Sequence, residues 1–357
     1  MNAKLWQPIQ VGSITLNHRL AMAPMTRGRS TAEGVPTYLN ARYYAQRASM
    51  ALIISEGTQP SSDGQGYMFT PGIYTDDHVI GWRKVTEAVR HAGGQMFIQL
   101  MHVGRISHPA NTPHGRQAVG PSAVQPNTKM FTPSGLQDIP EPRTLRTDEI
   151  SAVVKEFRHA AAAARRAGAE GVEIHGANGY LIHQFLSDNA NLRTDEYGGS
   201  IEKKIRFAVE VVSAVADEIG AGHTAIRISP GSTFNDIAEN DVHGVYVALA
   251  RELSRLGIAY LHLAHVGDED LLRKIRANWP GVLVLNRGGA GLPARIADID
   301  SGVADVIAVA SMSLANPDLV ERIKRNTPLN APDPSTFYGG GAKGYTDYPT
   351  LAGTALQ

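Results

Sequence analysis

The chain contains no cysteine among its 357 residues. That excludes disulfides, iron–sulfur clusters, cysteine-ligated zinc and a thiolate nucleophile. It has no excess of either charge, because 34 Lys+Arg balance 34 Asp+Glu, and a dedicated nucleic-acid or membrane-surface binder would be basic. Long apolar runs are also missing: 51–54 is typical of the longest, against the roughly 18 residues that cross a bilayer. Residues 1–20 show no basic region followed by an apolar stretch, so no signal peptide is expected. These absences predict a soluble, cytoplasmic protein with no nucleic-acid and no membrane partner.

Hydrophobic residues make up 43% of the chain, enough for a large core. At about 150 residues per domain the length suits two domains or one large α/β barrel. Short Val-, Ile- and Leu-rich runs predict strands near 19–24, 51–56, 95–100, 171–175, 224–229, 259–264, 282–286 and 304–310. Amphipathic or Ala-rich helices alternate with them, near 38–49, 77–92, 147–167, 200–219, 242–256, 268–277, 293–301 and 316–325. Thr147 with Asp148 marks a helix start, Gly168 a helix end, and Pro293 a first helical residue. Eight strand–helix units in order predict a (β/α)8 barrel, with an open doubly wound sheet as the alternative. Residues 103–146, with seven prolines, break the repeat after the third strand and predict a capping loop over the C-terminal face of the barrel. A loop-like C-terminal tail spans 331–357, and the whole of 1–357 reads as a single domain.

Polar or small residues recur at the strand ends: Thr26, Glu56 and Gly57, Gln99, His175, Arg227, His262, Asn286 and Arg287, Ala310 and Ser311. In a barrel these tips converge on one pocket. Exposure of strand ends to water accounts for Glu56 or His262, but not for Gln99 and Arg227, which have apolar neighbours; a buried cation needs an acceptor, often a ligand. The run Arg287-Gly288-Gly289-Ala290-Gly291 lies between a strand and a helix, where barrels bind phosphate, although a plain tight turn reads equally well.

The densest segment is 173–185. A histidine and an amide at the spacing of His175 and Asn178 can donate to one oxygen, and the nearby Tyr180 hydroxyl can deliver a proton to carbon. A capped helix with a core tyrosine explains the same spacing. His183 and Phe185 read as packing residues.

The run from His175 to Leu186, continued by 191–200, resembles the Old Yellow Enzyme family of FMN-dependent ene-reductases. So do 21–27 (AMAPMTR), 102–108 (HVGRISH), 315–319 (ANPDL) and 337–341 (FYGGG), a likeness spread from about 5 to 349 and strongest to bacterial N-ethylmaleimide and nitrate-ester reductases. The resemblance implies an FMN-binding (β/α)8 barrel that uses NADPH or NADH to reduce electron-poor alkenes such as enones, maleimides or nitroalkenes, and nitrate esters in some members; a homo-oligomer is an open option. It implies that Pro24, Met25, Thr26 and Gly57 line the flavin, and that Gln99 and Arg227 bond its pyrimidine edge. By the same likeness Gly288, Gly289, Ala310 and Ser311 surround its phosphate, His175 and Asn178 hold the substrate oxygen, Tyr180 donates the proton, and Tyr67 flanks the substrate. Thr26 stands where one branch carries cysteine, and the missing cysteines exclude the iron–sulfur-bearing dienoyl-CoA reductases. Two departures stand out. Met101 replaces an aromatic found in some relatives, and Ala310-Ser311 replaces the usual Gly-Arg whose arginine contacts the phosphate, leaving Arg287 as the expected substitute.

A metal-dependent hydrolase would want a His-x-His on the first strand, where only His18 is near, so no metal is expected. A Rossmann dehydrogenase would want its glycine fingerprint near the N-terminus. A flavin-binding barrel without catalytic function is the remaining alternative, against which the complete His175, Asn178 and Tyr180 set argues.

Overall fold

In the computed structural model, residues 4–353 are described. Eight parallel strands close into a barrel: β1 (Leu20–Met22), β2 (Ile53–Ile54), β3 (Met96–Leu100), β4 (Gly171–Gly176), β5 (Thr224–Ile228), β6 (Tyr260–His265), β7 (Leu283–Arg287) and β8 (Val306–Val309). Each pairs with its neighbours in sequence, and β8 pairs with β1 to complete the ring. Closure rules out the open sheet.

The outer helices follow in turn: α1 (Tyr38–Ala45), α2 (Asp76–His91), α3 (Thr147–Arg166), α4 (Ile201–Ile219), α5 (Val242–Arg255), α6 (Glu269–Asn278), α7 (Leu292–Asp300) and α8 (Leu319–Arg325). Strands buried on both faces read as continuous apolar runs, which is why their positions are visible in the sequence. Two apolar layers result. Ala21, Ile54, Phe97, Ala225, Tyr260, Val284, Val306 and Ala308 fill the inside of the barrel, while a larger cluster lies between strands and helices. A hairpin, Ile9–Val11 with Ile14–Leu16, adds Val11, Ile14 and Leu16 to the interior layer.

Local punctuation differs from expectation by a residue. The cap of α3 is Arg146, whose N–H donates to the Glu149 carboxylate at 2.7 Å, while the Thr147 hydroxyl turns to Asp195. Pro293 is the second helical residue of α7, behind Leu292. Gly168 does end α3, in a left-handed conformation.

The 103–146 stretch is not structureless. It carries a hairpin (Lys129–Thr132 with Gly135–Asp138) and a two-residue ladder between Val119–Gly120 and Arg143–Thr144. Its Val103, Ile106, Met130 and Ile139 pack with Met101, Tyr180 and Tyr67, so it forms a cap over the strand tips. The tail returns to the loop after β1, where Gly339 N–H donates to Arg27 O and Arg27 Nη2 to Gly344 O, both at 2.9 Å. Among the described residues no helix is long and apolar enough to cross a membrane.

Candidate active site

Strand register brings the polar residues together. Glu173 on β4 pairs with Gln99 on β3, while His175 pairs with Arg227 on β5, and Arg227 with His262 on β6. The fully buried Glu173 carboxylate gathers three donors: Gln99 Nε2 at 2.8 Å, Tyr260 Oη at 3.0 Å and His262 Nδ1 at 2.8 Å. Burial pushes the Glu173 carboxyl up, but His262, Arg227 and Gln99 together hold it below the usual value. Arg227 is buried beside this carboxylate, and its Nε has no hydrogen-bond partner. His262 is thus not a strand end meeting water. Glu56 is not either: it is fully buried and accepts from the Arg27 and Gly28 amides at 2.9 Å each, fixing the loop after β1. At the mouth, Pro24, Met25 and Thr26 in that loop are half-buried.

Beyond β4 the chain turns sharply. Asn178 and Gly179 adopt φ of 56° and 76°. A Cβ on Gly179 would lie 2.6 Å from Asn235 Cβ and 2.6 Å from Phe234 O, so only glycine allows the β5–α5 loop this close. Ala177 N–H donates to His175 Nδ1 at 3.2 Å, which places the imidazole proton on Nε2. Burial, then the charge of Arg227, holds the His175 pKa well below the ordinary 6.5, so the ring is a neutral donor. Asn178 N–H is tied to Ser229 Oγ at 2.8 Å, and its carbonyl accepts from Asn235 Nδ2 at 2.8 Å, leaving its side-chain amide without a protein partner among the described residues.

Tyr180 opens the short helix Leu181–Leu186, its ring edge-on to His175 at 4.9 Å. Its hydroxyl lies 3.1 Å from that of Tyr67, and burial, then Tyr67, pushes its pKa well above 10.0. His175, Tyr180 and Tyr67 therefore share one corner of the mouth, with Asn178 in the turn that joins the first two. Phe185 packs on Phe207 at 4.4 Å, whereas His183 does more than pack: its Nδ1 accepts from Gly179 N–H at 3.0 Å, steadying the turn.

Elsewhere the placements diverge. Gly57 is buried against Met101, whose Sδ would lie 2.5 Å from a Cβ there. Gly288 and Gly289 are exposed after β7, and Gly289 is left-handed (φ 69°) with open space around a Cβ. Ala310 and Ser311 begin the short helix Ser311–Ala315 after β8. Arg287 is committed inward: Nε and Nη2 meet both oxygens of Asp298 at 2.9 and 2.8 Å, and Nη1 contacts Glu269 and lies 3.3 Å from His265 Nδ1. Glu173, Glu56 and Asn235 were missed as site-building residues; adjacent left-handed Asn235 and Asp236, asparagine and aspartate being the residues that tolerate this region, are the one sequence hint for the last.

The chain matches the model of the "NADH:flavin oxidoreductase / NADH oxidase family" over residues 4–330. It is 40% identical over 359 residues to a probable flavin mononucleotide-dependent alkene reductase of Leishmania infantum, covering 97% of each chain. The fold superposes on a morphinone reductase solved in complex with tetrahydroNAD, with a TM-score of 0.93 and 43% identity over 97% of both chains. An Old Yellow Enzyme homologue from Zymomonas mobilis gives a TM-score of 0.94 at 40% identity, covering 98% of this chain and 100% of the other. An FMN fits the residues present: the buried Arg227 has an unpartnered Nε, the loop after β1 offers a half-buried threonine, and Gly289 leaves room for close approach. Membership sets aside the barrel that binds flavin without turnover, and the chain belongs to the NADH:flavin oxidoreductase family as an FMN-dependent oxidoreductase of the Old Yellow Enzyme type.

Proposed function

We propose that the chain reduces the C=C bond of electron-poor alkenes, such as enones, maleimides or nitroalkenes, with NADPH or NADH as the electron source. Pro24, Met25, Thr26, Gly57, Gln99 and Arg227 would hold FMN, whose ring, when bound, accepts a hydride from the nicotinamide and passes one to the alkene. The observation that carries the reading is the neutral His175 Nε2–H, its ring against that of Tyr180, with the Tyr67–Tyr180 hydroxyl pair adjoining it and Asn178 in the turn between them, its side-chain amide free.

The two donors bind a carbonyl or nitro oxygen of the substrate and orient its β-carbon. As that carbon gains a hydride, negative charge collects on the oxygen, and donors already aimed at it need no reorganisation. Tyr180 then gives its hydroxyl proton to the α-carbon. The adjacent Tyr67 hydroxyl can donate to the phenolate oxygen this leaves, until water restores the proton. Because burial raises the Tyr180 pKa, the hydroxyl stays protonated through neutral pH. The cap residues Ile106, Met130 and Ile139 shield Tyr180 from water.

The test is the visible spectrum of the purified protein, taken anaerobically before and after NADPH or NADH and again after cyclohexenone. The yellow colour is expected to bleach and then return. Tyr180→Phe should bleach normally with the nicotinamide and recover about 10²- to 10⁴-fold more slowly with the enone. Stopped-flow traces showing both half-reactions unchanged reject the role of Tyr180.

A further inference from the structure

The corner between β7 and β8 holds two arginines with opposite circumstances. Arg287 has all three of its guanidinium nitrogens engaged, by the two carboxylates of Asp298 and Glu269 and by His265. Its charge is spent inside the protein. Arg295 on α7 is only 6% exposed, and its acceptors are neutral: Nε donates to Ala290 O at 3.1 Å and Nη1 to Ala308 O at 2.9 Å. Asp298 is the nearby carboxylate, and both of its oxygens belong to Arg287. Nη2 of Arg295 has no acceptor among the described residues. A buried guanidinium without a hydrogen-bonded counterion is costly, and an anion from outside would relieve it.

The two carbonyls that seat Arg295 lie one in the loop after β7 and one near the C-terminal end of β8, so the guanidinium stands beside the loops after strands seven and eight, where barrel enzymes bind phosphate groups. Gly288 and Gly289 are exposed in the first of these loops, and a Cβ on Gly289 would touch nothing. The Gly289 backbone amide is therefore approachable beside the cation, whereas those of Gly288 and Ala290 donate to His265 O and Arg287 O at 3.4 Å each.

We infer that Arg295, and not Arg287, supplies the cation for the phosphate monoester of FMN, with Arg287 as a positioning residue that keeps Asp298 away from it. The inference rests on the flavin reading above and assigns one end of that site. A planar guanidinium suits a phosphate because it can present two donors at once. It also accounts for a chain that carries Ser311 where an arginine is expected.

The test uses apoprotein stripped of flavin, titrated with FMN and with riboflavin, which lacks the phosphate, by quenching of flavin fluorescence. The wild type should prefer FMN. Arg295→Ala should weaken FMN by about 10- to 150-fold, the worth of a charge-assisted hydrogen bond, and leave riboflavin within about twofold. Arg295→Gln, which keeps a donor for the carbonyls, should lose the same preference and serves if the alanine variant does not fold. Arg287→Ala should retain more of the preference than either. Equal weakening of both flavins, or an unchanged preference in Arg295→Gln, overturns the inference. Wild-type protein that binds both flavins equally also overturns it while leaving the flavin site standing, whereas binding of neither sinks the flavin reading itself.

Discussion

The two ends of the mouth are built on different physics. At the β4 end the donors are neutral, and neutral groups set them through the main chain of the turn: the Ala177 N–H fixes the His175 tautomer, and Ser229 Oγ and Asn235 Nδ2 hold the Asn178 backbone amide and carbonyl. At the β7–β8 end the groups are charged, and other side chains set them through the Arg287–Asp298 and Arg287–Glu269 pairs. The difference matches what each end would meet. A neutral donor in a dry corner strengthens as charge grows on a reacting oxygen, so it favours the transition state over the bound substrate. A permanent dianion such as a phosphate monoester calls for a permanent cation.

The largest effect should come from removing a neutral donor. His175→Ala is expected to lower alkene reduction by about 2.7–4 kcal/mol, or roughly 10²- to 10³-fold in kcat, with FMN affinity little changed. A variant that loses FMN instead would erase the division between the two ends. A smaller effect compares two glycines. Gly179→Ala meets both a left-handed backbone and a packed loop 2.6 Å away, and should cost about 1–3 kcal/mol in urea unfolding. Gly289→Ala meets only the backbone strain and should cost about 1–2 kcal/mol; equal losses would show that the β4 turn is no tighter than the β7 loop.

The third comparison is of stability against pH, where three buried histidines act together. His102, held at about 4 by burial, and His175 and His262, both lowered mainly by burial, are neutral in the fold. Their folded pKa values lie below the unfolded 6.5, so the unfolded chain takes up protons first as pH falls. Stability is then full above about pH 6.5 and declines as pH falls, by up to about 1.4 kcal/mol per pH unit for each group, the His102 share down to about pH 4. Glu269 is lowered by Arg287; its shift has the same sign, but its contribution is lost only as pH falls below the ordinary carboxylate value of 4.5. Urea unfolding at about pH 7 and about pH 5 checks the order, and an unchanged midpoint would contradict it.

Much of the barrel was legible because parallel strands covered on both faces must be apolar along their length, as in Ala51–Ile54 and the 304–310 run. The polar interruptions at Gln99 and Arg227 were legible for the same reason. Glu56 was misread as a surface end because a carboxylate that receives two amides from a loop 28 and 29 residues away has no local signature. The cap of α3 shifted to Arg146 because Glu149 satisfies that amide, a choice between adjacent residues that propensity does not resolve.

By itself the sequence determined the eight alternating strand–helix units, the missing thiol chemistry and the His175–Asn178–Tyr180 spacing, since each depends on residues close together in the chain or on composition alone; closure of the strands into a ring rests on pairing between distant ones. Only the tertiary structure decided which arginine has charge to spare. Arg287 and Arg295 lie eight positions apart and look alike in sequence, but Asp298 and Glu269 close on the first, while the second faces carbonyls of Ala290 and Ala308. The charge available to a ligand depends on which partners the fold has already supplied, and partners from neighbouring helices, loops and strands meet only when successive units pack together.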